Sequence, residues 1–178
     1  MEIETRRLLL REFRMDDQPA IHVFAADPLV TRHTAWGPLS RQETAAEVRA
    51  TVEAAGQVPR TRYGLAVTER STSSVVGSIE LRMVSVRHRR AAMEFAFGRP
   101  SWGHGYATEA AEALADFGFG TLGLRKITAT CSPENVASNR VLTKIGMHLE
   151  GHLHDHVLVR GAWQDRLLFG LTAPDVTA

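Results

Sequence analysis

The segment Ser101-Trp102-Gly103-His104-Gly105-Tyr106-Ala107-Thr108-Glu109-Ala110 places two glycines directly before an alanine-rich, helix-forming run. Glycines let a backbone approach an anion closely, and the unpaired amides in the first turn of a helix donate to phosphate oxygens. The segment therefore reads as a phosphate cradle. A plain strand-to-helix turn also accounts for Gly-x-Gly. Two other nucleotide-binding patterns are excluded. A P-loop requires a lysine after its second glycine, and none lies between positions 101 and 110. A dinucleotide fold requires Gly-x-Gly-x-x-Gly after an early strand with an acid about 20 residues further on.

Glu94 interrupts the apolar stretch Met93, Phe95 and Phe97. A carboxylate in such a strand needs a partner or a function, so it is either a salt-bridged strand residue or a general base. His152, His154 and His156 alternate along one predicted strand, with His148 four residues earlier, and imidazoles so placed can bind a transition metal. No carboxylate or cysteine completes an obvious site, so no metal is expected. Cys131, the single cysteine, excludes an internal disulfide and a thiolate zinc site. In an apparent core strand it acts as a small hydrophobe, and no acyl-cysteine intermediate is proposed.

These residues need elements to position them. Thr5 to Phe13 reads as a first strand with one buried face. Pro19, tolerated in a first turn, opens a short helix to Ala25 or Ala26, which Asp27-Pro28 ends. Ser40 and Glu43 have capping-box spacing before a second helix that stops near Gly56. Between these helices, Thr31 to Pro38 has no periodicity. Tyr63 to Thr68, Val75 to Val84 and Ala91 to Phe97 predict an antiparallel meander. Thr108 to Phe119 is the clearest helix, and Lys126 to Cys131 is a short strand. A further helix over Asn135 to Ile145 stops at Gly146. His148 to Val159 and Ala162 to Thr172 flank Arg160-Gly161 as a closing hairpin.

Taken together, these motifs resemble the GNAT acetyltransferases, and within them the RimJ/RimL-like branch. Thr5-Arg6-Arg7-Leu8-Leu9-Leu10-Arg11 is similar to that branch's opening strand, and Trp102 to Ala110 to its coenzyme A pyrophosphate loop. Asn135-Val136-Ala137-Ser138-Asn139-Arg140-Val141-Leu142-Thr143-Lys144-Ile145-Gly146-Met147 resembles the second motif, followed by Glu150-Gly151. Gly161 and Asp165 fit the final hairpin.

The resemblance implies an α/β (α+β) fold: a mixed, mostly antiparallel sheet of about seven strands, splayed between the fourth and fifth, with about four flanking helices. Acetyl-CoA is then the acyl donor, with its pantetheine arm in the opening. Backbone groups of Phe95, Ala96, Phe97 and Gly98 bond the arm. Trp102, Gly103, His104, Gly105, Tyr106, Ala107 and Thr108 hold the pyrophosphate. Asn135 and Asn139 approach from the other side, and Arg140 contacts an adenosine-side phosphate or is simply solvated.

For catalysis the resemblance implies a general acid in the second motif. Many relatives place tyrosine there, but Leu142 stands at that position. The branch's replacement is the serine of Asn-x-x-Ser, here Ser138, whose alternative is a capping or packing role. Ala92 occupies the place of the family's glutamate, and Glu94 shares its strand face by alternation, which makes Glu94 the candidate base. Trp36 is an acceptor-side candidate or a core residue.

The chain's bulk properties agree with such an enzyme. Its 178 residues suit one domain, 1–178, and 44% hydrophobic with 23% charged residues is a globular balance. Net charge is +1, too near neutral to imply a nucleic acid partner. No run of about 18 apolar residues and no signal-peptide pattern are present, so a cytoplasmic protein without membrane contact, monomeric or homodimeric, is expected. The amine acceptor, a small molecule or a protein N-terminus, is left open. A non-catalytic acyl-CoA sensor is the alternative function.

Overall fold

The computed structural model describes residues 1–173. Eight strands form one sheet in the order β1-β2-β3-β4-β5-β6-β8-β7. They are β1 (Glu2–Glu4), β2 (Leu8–Glu12), β3 (Arg62–Glu69), β4 (Val75–Ser85), β5 (Arg90–Phe97), β6 (Lys126–Cys131), β7 (His148–Val159) and β8 (Ala162–Thr172). Four helices flank the sheet: α1 (Gln18–Ala25), α2 (Arg41–Ala55), α3 (Tyr106–Gly120) and α4 (Val136–Lys144). Every strand pairing is antiparallel except β5 with β6.

Alternation along the strands builds two cores. Leu8, Leu10, Leu65, Val67, Ile79, Leu81 and Met93 lie on one face and bury against Ala110, Ala111, Leu114 and Ala115 of α3. Small alanines let that helix seat closely on the sheet. On the opposite face, Ile21, Phe24 and Ala25 of α1 and Val48 of α2 pack with Ala96 of β5. Ser40 caps α2: its hydroxyl accepts from the Glu43 amide at 3.2 Å while the Glu43 carboxylate accepts from the Ser40 amide at 2.8 Å. Such a cap contributes about 1 kcal/mol.

The eighth strand is the short β1, whose Glu2 pairs with Arg11. Three residues are too few to show a period, so the expected sheet had about seven strands. Thr5 turns the chain between β1 and β2, its amide donating to Leu8 O at 2.9 Å. The splay is present. With β1 counted it falls between β5 and β6, which pair only from Arg90 to Ala92 against Lys126 to Thr128 and then diverge.

Candidate active site

The divergence of β5 from β6 leaves backbone groups of β5 without a neighbouring strand. Within an antiparallel strand the N–H and C=O of successive residues point to alternate sides. Gly98 N donates to Val76 O of β4 at 3.0 Å, so by alternation Phe95 and Phe97 turn their polar groups into the gap. The indole Nε1–H of Trp102 donates to Phe97 O at 2.8 Å. That leaves the amides of Phe95 and Phe97 and the Phe95 carbonyl to meet a ligand lying where a strand is missing.

The gap leads to the glycine loop. Gly103 and Gly105 both have φ of +78°, a left-handed conformation that suits glycine. Gly105 is the N-cap of α3, and Glu109 N donates to its carbonyl at 3.1 Å as the first rung of the helix. The amides of Tyr106, Ala107 and Thr108 therefore have no partner among the described residues and face an incoming anion along the helix dipole. Glu109, an acid in that first turn, is held away from this role. Its Oε1 accepts from Thr5 Oγ1 at 2.7 Å and the Arg7 amide at 2.8 Å, and its Oε2 accepts from Arg7 Nε at 2.7 Å. Burial pushes this carboxyl up, yet these donors together hold it below its ordinary value.

A cavity of about 620 Å³ joins the gap, the loop and α4. Of the residues expected to bind the donor, Phe95, Ala96, Phe97, Trp102, Gly103, Gly105, Tyr106, Ala107, Thr108, Asn135 and Arg140 line it. Gly98, His104 and Asn139 do not. Gly98 is committed to Val76 and, through its carbonyl, to Ser101 Oγ at 2.6 Å. The carbonyl of His104 accepts from Arg7 at 2.8 Å, and its ring stacks on Tyr106. Asn139 holds α4 to β6, with Oδ1 accepting from Cys131 Sγ at 2.8 Å. Burial pushes the Cys131 thiol up to about 11, so it is neutral and inert near pH 7.

Ser138 also lines the cavity. The cap of α4 is supplied by Asn135, whose Oδ1 accepts from the Ser138 amide at 3.1 Å, and the Ser138 hydroxyl has no hydrogen-bond partner among the described residues. Glu94 is placed differently. It is on the face of β5 shared with Ala96, but its side chain is 59% exposed, is paired with Arg82 NH2 at 2.9 Å, and does not line the cavity.

The opposite wall comes from the turn between α1 and α2. Leu29, Val30, Arg32, His33 and Thr34 line the cavity there, with Glu134 before α4 and Lys144 at its end. None of these was singled out from the sequence, because the turn has no periodicity and its closure over the gap depends on contacts distant in the chain. Arg160, at the tip of the β7–β8 hairpin, donates to Thr31 O at 2.9 Å and Gly37 O at 2.8 Å and fastens the turn in place. Burial, Arg32 and Arg166 hold the His33 imidazole below its ordinary value, against the opposing pull of Glu134. Trp36 packs beside the α1–α2 core.

The histidine strand differs from expectation in two respects. A carboxylate does join it across the hairpin: Asp165 Oδ2 lies 2.7 Å from His152 Nε2 and 3.0 Å from His154 Nδ1. Asp155, with φ of +46°, interrupts the strand register and so breaks the predicted alternation before His156.

A split sheet that exposes strand backbone to a ligand and delivers its far end to a glycine-capped helix defines a coenzyme A-dependent acyltransferase. The chain belongs to the GNAT family: residues 7–148 match the family described as an acetyltransferase (GNAT) domain. It is 31% identical to the N-acetyltransferase p20 of Bacillus licheniformis, over 94% of this chain and 93% of that one. A GNAT-family acetyltransferase structure from Bacillus anthracis superposes with a TM-score of 0.86 at 28% identity, covering 97% of this chain and 98% of the other. RimL, a ribosomal L7/L12 alpha-N-protein acetyltransferase solved with coenzyme A, shares the fold with a TM-score of 0.86 at 17% identity, over 97% and 98% of the two chains. This chain is an acetyl-CoA-dependent N-acetyltransferase. Among the described residues, no helix is long and apolar enough to cross a membrane.

Proposed function

We propose that the enzyme transfers the acetyl group directly from acetyl-CoA to a primary amine within a ternary complex in the cytoplasm, acting as a monomer or homodimer without nucleic acid or membrane partners. The observation that carries this reading is the continuity of the gap beside Phe95 and Phe97 with the unpaired amides at the start of α3. Pantetheine follows the first and pyrophosphate meets the second, which brings the thioester to the point where β5 and β6 part. Arg140 and Lys144 lie on the α4 side of the same cavity, toward the donor's phosphates.

In the reaction the neutral amine attacks the acetyl carbonyl, a C–N bond forms, and a backbone amide of β5 stabilises the tetrahedral oxyanion. The C–S bond then breaks. The unpartnered hydroxyl of Ser138 donates to the departing thiolate. The proton lost by the amine passes to Glu94 through water, since Glu94 shares the acceptor-side face of β5 with Ala96 but stands outside the cavity. Thiol release from acetyl-CoA with a panel of amines tests the reading. Coenzyme A binding without turnover of any amine would instead make the protein an acyl-CoA sensor.

A further inference from the structure

The β7–β8 hairpin brings three side chains with metal-ligating atoms together. Leu153 pairs with Arg166, and side chains alternate along each strand, so His152, His154 and Asp165 fall on one face of the sheet. Pairing resumes only at Val157 with Gln164, so His154, Asp155 and His156 stand opposite the single residue Asp165. Such a bulge re-aims the side chains around it. Asp165 Oδ2 lies 2.7 Å from His152 Nε2 and 3.0 Å from His154 Nδ1, and the two imidazoles stack with centroids 4.3 Å apart. All three ligand atoms lie within 4.8 Å of one another. None of these residues lines the donor cavity.

Hydrogen bonding by itself needs a proton in each of the two short contacts, on Nε2 of His152 and on Nδ1 of His154. A divalent cation takes the place of both protons and lets two neutral imidazoles and a carboxylate converge. Bonds of about 2.0–2.2 Å to nitrogen and oxygen set neighbouring ligand atoms about 2.9–3.4 Å apart, so side-chain shifts of about 1 Å or less make room for the ion. The carboxylate is already oriented. Asp155, at φ of +46°, turns its amide to Asp165 Oδ1 at 3.0 Å, which leaves Oδ2 for the ion. Hydrogen bonds of this kind position metal-ligating carboxylates. The His154 side chain is 76% exposed, so coordination positions remain open to water. Two imidazoles with one carboxylate suit zinc and its first-row neighbours, whereas magnesium and calcium prefer oxygen alone.

We infer that His152, His154 and Asp165 bind a late first-row divalent cation, zinc above all, which staples β7 to β8 across the bulge. The ion is structural and takes no part in acetyl transfer. Strand pairing is interrupted between Leu153 and Val157, and beyond the interruption the hairpin carries Arg160, whose bonds to Thr31 O and Gly37 O fasten the acceptor wall. An ion at the bulge therefore stiffens the part of the hairpin from which that fastening extends.

The test uses the full-length chain without a histidine tag, freed of metal with EDTA and titrated with zinc chloride by calorimetry. One ion per chain should bind, with little response to magnesium at the same concentration. His154→Ala and Asp165→Asn should each weaken zinc binding at least about tenfold, since even residues that only orient a metal ligand are worth about 10–100-fold. His156→Ala, which removes a histidine outside the cluster, should bind zinc as the parent does. Circular dichroism checks that each variant is folded, and the exposed position of His154 makes its variant the least disturbing. Hydrogen exchange of the amides from 153 to 160 should slow when zinc is added to the parent and stay unchanged in His154→Ala. Absence of saturable zinc binding, zinc affinity that persists in both His154→Ala and Asp165→Asn, or equal binding of magnesium overturns the site. Exchange that zinc leaves unchanged in the parent overturns the staple. No acetylation rate enters these measurements, so the acetyltransferase reading stands or falls separately.

Discussion

The guanidinium of Arg7 grips Glu109 through NH2 and Nε, both 2.7 Å from Oε2, and ties the opening of β2 to the first turn of α3. The same guanidinium stacks 4.7 Å from the centroid of the Tyr106 ring and donates to His104 O. A residue near the N-terminus thereby shapes a loop almost a hundred positions away. It also occupies a carboxylate that would otherwise face the pyrophosphate.

Arg7→Ala should therefore weaken coenzyme A binding about tenfold and lower stability by about 1–2 kcal/mol, the range for a charge-assisted hydrogen bond after allowance for partial exposure. Its pH dependence has a defined sign. Glu109 titrates below its ordinary 4.5 in the folded state, so its stabilisation is complete above the unfolded pKa and is lost as pH falls through the folded value. Denaturant unfolding at neutral and acidic pH should show the difference between variant and parent shrinking below pH 4.5. A difference that grows on acidification would contradict the pairing.

Coenzyme A should raise the melting temperature of the parent by mass action, and Gly105→Glu should abolish the shift. At φ of +78° any side chain is strained, and a carboxylate there repels pyrophosphate where the helix amides should receive it. Differential scanning fluorimetry with and without coenzyme A measures it. An undiminished shift in the folded variant would remove the loop from the binding site.

Ser138→Ala should lower kcat by about tenfold or more and leave coenzyme A affinity within a few-fold, because the hydroxyl acts on the leaving thiolate rather than on the bound donor. Its amide, not its hydroxyl, carries the capping bond to Asn135, so α4 should stay folded in the variant. Circular dichroism and calorimetry provide the controls. Parental turnover would exclude Ser138 as the acid.

For Glu94→Gln the expected loss in kcat is at the lower end of the ~10² to 10⁴-fold typical of general bases. Transfer through water from a residue outside the cavity accounts for the modest size. A folded variant that binds acetyl-CoA normally and turns over at the parent rate from about pH 6 to 9 would reduce Glu94 to the structural partner of Arg82.

The elements that depend on local chemistry were legible in the residues themselves. Ser40 and Glu43 cap α2, Arg160-Gly161 closes the β7–β8 hairpin, and Gly103 and Gly105 start α3, each because a backbone conformation or an orphan amide requires that residue type. The glycine loop was legible from the same local signals, whereas Phe95 to Phe97, Asn135 and Arg140, which line the cavity with it, were expected only from the family resemblance. Decisions that rest on long-range packing were not legible. Glu94 pairs with Arg82 across a strand, Asp165 joins His152 and His154 across a hairpin, and the turn over Thr31 to Gly37 closes on the gap through Arg160. Arg166 is the clearest case. In the sequence it is one arginine among many, and only the tertiary structure, by burying it beside a neutral thiol, leaves it a charge without a carboxylate partner among the described residues. Local periodicity sets which face a residue takes, whereas the counter-charge it finds there is set by strands and turns far away in the chain.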